Sequence, residues 1–348
     1  MDPTSQLIAF GGQTVSFSPF QTTLNGGSAS RLGDDLTTVN SFWSSNTAHA
    51  ALFTNTGIQT YTGFYAGTLL TSVTCVATLG GAAGWMNCRG RKIRATFSFN
   101  AGDRLVFFAG KTTAKATSAS QQVGAGGGAS CLMLHTNSGF TPLIVAAGGQ
   151  GCFAAREPTQ EAKPLNMSDT VSKRNTIRSQ RDSVVGNSTP DGAGGAGRST
   201  KRNAQQGGAG WHTAAYEPST TNSNSGLNID SRSEALKDGA RGGPSVNSNA
   251  ADGGFGGGGG DYDGNCYGCG AGGYFGSWES AQSCSNSPLT SAVFEYYLYA
   301  QGQNDYLGSF SYVDSSGTSV SDLGHNGLAQ GYSYDGGQTT GFVTLDFS

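Results

Sequence analysis

Residues 253–273 read GGFGGGGGDYDGNCYGCGAGG, and twelve of these 21 positions are glycine. Fixing a glycine in one conformation costs about 0.5–1 kcal/mol more than fixing an alanine. Ordering twelve of them therefore costs roughly 6–12 kcal/mol extra, comparable to the whole stability of an ordinary domain. Two readings follow: a disordered linker, or extended backbone packed so closely that only glycine fits. Glycine-serine linkers avoid cysteine and aromatic residues. This stretch holds Phe255, Tyr262, Cys266, Tyr267 and Cys269, with Tyr274 just beyond it. Close packing is therefore the reading adopted for Gly253, Gly254, Gly256, Gly257, Gly258, Gly259 and Gly260, with Cys266 and Cys269 as structural companions.

Shorter glycine runs recur at 124–128, 148–151, 192–197, 207–210 and 242–243. A left-handed extended helix with three residues per turn has no internal hydrogen bonds. Its N–H and C=O groups must find partners on neighbouring segments. Several glycine runs of one chain can supply each other's partners, as a bundle of polyglycine helices.

Composition bounds the remainder. At 348 residues the chain suits one large or two modest domains. Charged residues make up 12%, half the usual share, while the 56 glycines are more than twice theirs. A net charge of −3 gives no general pull toward nucleic acid or anionic membranes. No apolar run approaches the 18–20 residues of a membrane span, and the start MDPTSQLIAFGGQTVSF lacks the pattern of a signal peptide. Use without secretion, or removal of a signal, are both compatible with that start. The seven cysteines (Cys75, Cys88, Cys131, Cys152, Cys266, Cys269 and Cys284) are an odd number, which argues against a complete disulfide framework but leaves room for two or three bridges.

Away from the glycine runs the pattern is β throughout. Residues 1–54 read as an N-terminal arm or extra strands. The interval 55–151 reads as the first part of a β-sandwich. Within it 57–61 (GIQTY) is a strand candidate, 69–79 is rich in β-branched residues, and 93–99 (IRATFSF) alternates apolar and polar residues. Residues 105–108 (LVFF) suit a fully buried strand, and 131–135 with 143–147 suit a hairpin. No stretch shows helical periodicity over more than three turns. Residues 152–205 are polar and basic, with Lys173, Arg174, Arg178 and Arg181, and read as a solvated, mobile insertion. Residues 206–285 hold the glycine bundle. In 286–348 strands return at 293–299, 309–313 and 341–347, so both ends of the chain complete one sandwich.

Candidate chemistry is sparse. Cys266 and Cys269 have the C-x-x-C spacing of a zinc half-site or redox pair, but only Cys284 lies nearby to extend it. A local disulfide, or buried thiols pinning a glycine-rich layer, is the simpler reading. Asp252, Asp261 and Asp263 are weak calcium candidates, since 256–261 fits the start of a calcium-binding nonapeptide once. Solvated turn residues are the simpler reading. His49, His135, His212 and His325 form no pattern with one another or with cysteine. The glycine runs lack the Lys-Ser/Thr ending of a phosphate loop. Nothing assembles a nucleophile, a base and an oxyanion site, so no enzyme and no cofactor is expected.

One set of segments carries a resemblance. The order runs 57–61 (GIQTY), 78–84 (TLGGAAG), 95–105 (ATFSFNAGDRL), 124–130 (GAGGGAS) and 142–149 (PLIVAAGG), then 208–211 (GAGW), 253–260, Cys269 and 272–274 (GGY). Over about residues 55–348 it resembles the glycine-rich extracellular region of the anaplastic lymphoma kinase and leukocyte tyrosine kinase receptors and its glycine-rich relatives. The resemblance implies a TNF-like antiparallel β-sandwich with an inserted polyglycine-II helix bundle, and a binding role without catalysis. In the receptors this region binds small helical cytokines. This sequence shows no kinase domain, so receptor signalling does not carry over. Two functions are expected: a structural or adhesive surface protein of a virion, filament or cell, or an extracellular recognition module for protein or glycan. The expected partners are a protein or glycan on a surface, or further copies of the chain.

Overall fold

The computed structural model describes residues 7–10, 13–16, 20–25, 64–69, 72–84, 88–112, 125–151, 162–165, 170–185, 188–195, 207–215, 233–245, 252–260, 269–278, 308–326 and 339–347. Its strands are β1 (Leu7–Phe10), β2 (Gln13–Ser16), β3 (Phe20–Asn25), β4 (Phe64–Thr68), β5 (Val73–Gly80), β6 (Arg91–Phe99), β7 (Arg104–Phe108), β8 (Ser130–Thr136) and β9 (Gly139–Ala146). Helix α1 (Val171–Val185) follows, then β10 (Tyr312–Val313), β11 (Thr318–His325) and β12 (Phe342–Phe347). The fold is all-β with little helix, and every strand pairing among the described residues is antiparallel.

Two five-stranded sheets carry the architecture, in the orders β10-β9-β8-β7-β4 and β11-β6-β5-β12-β3. β1 and β2 form a separate two-stranded ribbon. The C-terminal strand β12 lies between β5 and β3, pairing Val343 with Leu79 on one side and with Leu24 on the other. Distant parts of the chain therefore share one sheet, as the alternation in 341–347 predicts. The predicted strands 57–61 and 293–299 lie outside the described residues.

Alternation explains how the two sheets face each other. In β6 the buried side chains are Ile93, Ala95, Phe97 and Phe99, every second residue. They join Cys75, Ala77 and Leu79 of β5, Val343, Leu345 and Phe347 of β12, and Leu105, Phe107, Leu132 and Ile144 of the other sheet in one core. β7 is buried on both faces: Leu105 and Phe107 enter this core, while Val106 and Phe108 enter a second. The second core contains Cys131, Met133 and Val145, then Ile177, Trp211, Leu236, Phe255, Tyr274, Phe275 and Phe310 from the glycine-rich and later segments. A third layer thus covers the outer face of the β7–β8–β9 sheet.

Three expectations change. The composition of 152–205 predicts a solvated insertion without helix. Within it Thr170 caps α1, its hydroxyl accepting from the Lys173 N–H at 3.2 Å, and α1 buries Ile177 and Arg181. The helix is held by what it docks on, so its own apolar periodicity is weak. The glycine layer is also not confined to 206–285. It includes 81–84 after β5, 126–128 before β8, 148–151 after β9, and 192–195. Finally, 253–260 is not extended throughout. It turns at 255–257, where Gly256 (φ 100°) and Gly257 (φ 82°) take the left-handed conformation that glycine alone adopts freely. Phe255 at this turn is drawn inward, its ring 5.2 Å from that of Phe108.

Candidate functional site, a glycine lattice and the helix docked on it

Successive amides of one run donate in different directions. Gly126 N–H donates to Gly259 O (2.9 Å), Gly127 N–H to Gly149 O (2.8 Å) and Gly128 N–H to Lys111 O (3.1 Å). Ala129 N–H then returns to the first neighbour, at Gly256 O (2.9 Å). The same three-residue return occurs at Gly148 and Gly151, which donate to Gly272 O and Cys269 O, and at Gly81 and Gly84, which donate to Arg91 O and Cys88 O. A flat strand would alternate with period two. Three runs close a ring of bonds: Ala82 N–H to Gly128 O, Gly127 N–H to Gly149 O, and Gly149 N–H to Ala82 O.

The central run wraps this ring. Gly254 N–H donates to Gly126 O (3.0 Å) and Gly126 N–H donates to Gly259 O, so the two limbs of the 255–257 turn engage both polar groups of Gly126. Gly258 N–H donates to Gly254 O, and Gly258 O accepts from Gly243 N–H. Gly259 N–H continues to Gly270 O (2.7 Å) and Gly253 N–H to Gly243 O (2.8 Å). A methyl group built on Gly258 would collide with the Gly126 carbonyl oxygen, and one on Gly128 with that of Phe255. Backbone sits against backbone, and neither can yield without losing hydrogen bonds.

Buried polar side chains satisfy further carbonyls and amides of the lattice and its margins. Ser130 Oγ accepts from Gly110 N–H (2.9 Å) and donates to Gly80 O (2.6 Å). Ser309 Oγ donates to Gly148 O, Ser311 Oγ accepts from Ala147 N–H, and Ser277 Oγ accepts from Ala271 N–H. Asn326 Nδ2 donates to Gly81 O and Thr340 O, and Gln150 Nε2 to Trp278 O. These residues escaped the sequence reading. Small polar residues beside glycine runs were the available cue.

Of the predicted site residues, Gly254, Gly256, Gly257, Gly258, Gly259 and Gly260 are buried together, with Gly253 half-buried at the entry. Cys269 is buried, and its carbonyl takes part in the lattice. Cys266, Asp261 and Asp263 lie outside the described residues. Asp252 is exposed, and its carboxylate accepts from the N–H and hydroxyl of Ser245 (2.6 and 2.8 Å), as a turn residue does. Among the described residues no group of three or more metal-ligating side chains occurs. Burial pushes the Cys75 and Cys131 thiols up, so both stay protonated at neutral pH. Cys88 is disulfide-bonded, its partner lying outside the described residues.

The charged groups gather at the lattice margin. Arg181 is 1% exposed and donates through Nη2 to Gly276 O (2.9 Å) and Gly308 O (3.0 Å). Burial lowers its pKa to about 9, which leaves it a cation at neutral pH. Arg174 lies over the rings of Tyr312 (5.2 Å) and Tyr274 (5.8 Å), which stack at 4.3 Å. Burial, then Asp314, raises the Tyr312 phenol to about 12. On the far side, Asp322 accepts from Arg91 Nε and Nη2, Leu165 N–H and Gly324 N–H. Burial alone would raise its pKa, but these donors outweigh it and hold the carboxyl below its ordinary value.

No protein-family model matches the chain, and no curated protein matches it. Among the described residues no helix is long and apolar enough to cross a membrane.

Proposed function

We propose that the chain is a non-enzymatic, glycine-rich structural and adhesive surface protein, in which a TNF-like β-sandwich is fused to a polyglycine-II bundle and displayed as a binding head. The observation that carries this reading is the three-residue return of the lattice hydrogen bonds at Gly126/Ala129 and Gly148/Gly151. That is the period of a helix with three residues per turn and no internal bonds. Such a bundle is rigid because its backbone groups are fixed by several neighbours at once. It builds a stiff presenting body from little side-chain volume, which suits the surface of a virion, filament or cell. The partner is then a protein or glycan on a facing surface, or a further copy of the chain.

The second reading is an extracellular recognition module for protein or glycan. It draws on the disulfide at Cys88, a bond favoured in oxidising compartments. The two are separated on native material. Immunogold labelling with antibodies to the head, beside mass mapping of thiols and the mature N-terminus, is the experiment. Label on intact particle or filament surfaces with an intact Met1 supports the first reading. Label only on secreted protein with a processed N-terminus favours the second. Label confined to a cell or particle interior overturns both.

A further inference from the structure

Helix α1 lies on a seam between the glycine lattice and the segment 308–313. Arg174, Ile177 and Arg181 are three and four residues apart, so they share one helix face. Arg181 reaches the Gly276 and Gly308 carbonyls with its Cζ 5.1 Å from the Phe275 ring centroid. Arg174 covers the Tyr274–Tyr312 stack with its Nε 3.3 Å from the Asp191 carboxylate. Ile177 is fully buried between them. Aromatic faces attract guanidinium groups, and carbonyls and carboxylates fix their donors.

The receiving surface is tied together without α1. Tyr274 N–H donates to Phe310 O (2.8 Å) and Phe310 N–H to Phe275 O (3.0 Å). Phe275 and Phe310 meet edge to face at 6.4 Å, and the Tyr274 hydroxyl bonds Asp191. The helix has less of its own: Thr176 Oγ1 donates to Ser172 O and Arg178 Nη1 to Asn175 Oδ1. Just beyond its C-terminus, Thr189 O accepts from Arg178 Nε and Thr189 N–H donates to Asp182. Its first turn holds Lys173 and no acidic residue, which opposes the positive helix N-terminus. A 15-residue helix is marginal alone in water.

We propose that this seam is a preformed acceptor site for an arginine-bearing amphipathic helix, and that α1 is its resident occupant in cis, a strap that can be released and replaced. The ligand class is a helical peptide with two arginines seven residues apart flanking a buried aliphatic residue. The proposal does not rest on where the protein resides or what it adheres to.

The test uses the full chain carrying Arg174→Gln and Arg181→Met. Trypsin cleavage after Arg178, followed by mass, is expected to rise about tenfold or more over the unsubstituted protein, because charge-assisted bonds holding the strap are gone. A fluorescent synthetic peptide of residues 168–187 should then bind the variant at least about tenfold more tightly than the unsubstituted protein, whose seam is filled. The same peptide with Arg181→Met should lose that binding. The proposal is overturned if cleavage after Arg178 is unchanged, or if the peptide does not bind the variant. It is equally overturned if the variant loses its β-sheet circular dichroism, because the seam would then not be formed without its occupant.

Discussion

The two faces of the β10-β9-β8-β7-β4 sheet are built by different physics. On one face Leu105, Phe107, Leu132 and Ile144 interdigitate with the side chains of β5, β6 and β12. On the other, Val106, Phe108, Met133 and Val145 meet Phe255, Trp211 and Phe275, which protrude from a layer made largely of backbone. The first face is stabilised by side-chain volume removed from water, and such cores accept changes that conserve volume. The glycine face is stabilised by hydrogen bonds between chains too close for a Cβ, with a few aromatic residues sealing it. Single atoms therefore matter in opposite senses: removing them damages the first core, and adding them damages the lattice.

The largest effect should come from adding atoms to the lattice. Gly258→Val drives its side chain into the Gly126 carbonyl and the Gly254 amide, both hydrogen-bonded. The expected loss is about 5 kcal/mol or more, in the range reserved for named structural failures. Gly102→Ala is the control: its φ is 89°, but no atom lies within 4 Å of the added Cβ. It should cost only the left-handed strain of about 1–2 kcal/mol. Thermal unfolding of the pair compares collision with strain. Equal melting temperatures would remove backbone packing as the source of lattice stability.

Removing atoms from the first core comes next. Phe107 is fully buried there, and Phe107→Ala should cost about 3–5 kcal/mol in denaturant unfolding. Phe107→Leu, closer in volume, should lose much less, whereas the lattice offers no such graded series. Ser130→Ala sits on the boundary. It strands the Gly110 N–H and the Gly80 carbonyl, both bonded to the hydroxyl, and should cost about 1–3 kcal/mol. A neutral result would mean that the boundary relaxes like the side-chain core.

This division also decides what could be read from the sequence. Strands with one or two apolar faces were legible: β6 alternates, β7 is a continuous apolar run, and the β8–β9 hairpin falls where turn residues separate two apolar segments. β11 was not, because TSVSDLGH is an exposed edge strand with no apolar alternation. α1 was missed for a related reason. Its docked face is the half-buried Arg174 with the buried Ile177 and Arg181, and a hydropathy pattern scores two of those three as solvent-facing. Cysteines and aromatics within 253–273 pointed to ordered backbone. The runs at 124–128 and 148–151 could be named as partners from the sequence, but not which groups pair, nor that the run ending β5 joins them, since that depends on non-local pairing.

The smallest expected effect is an acid sensitivity located at the β11 edge of the β11-β6-β5-β12-β3 sheet. Asp322 joins β11 to Arg91 of β6 and to the Leu165 amide, and its donors hold the carboxyl below the ordinary 3.8. A carboxyl depressed in the fold contributes stability that is present above the unfolded pKa and is lost as pH falls through the folded one. The window therefore lies below about pH 4. Asp314 is depressed as well, with donors from Ser316 and Tyr312 outweighing its burial, so it adds to the same acid limb. His135 and His212 have pKa values lowered, chiefly by burial, so each resists protonation in the fold and weakens it as pH drops below 6.5. Asp322→Asn keeps the shape but removes the charge facing Arg91, so its melting temperature should lie slightly below the unsubstituted protein's at pH 7. The gap should close as pH falls below about 4 and the native carboxylate takes up its proton. The acid limb should flatten without vanishing, since Asp314 still titrates. A gap independent of pH would mean that Asp322 acts through shape alone, and the ion pair with Arg91 would then contribute nothing to holding β11 on the sheet.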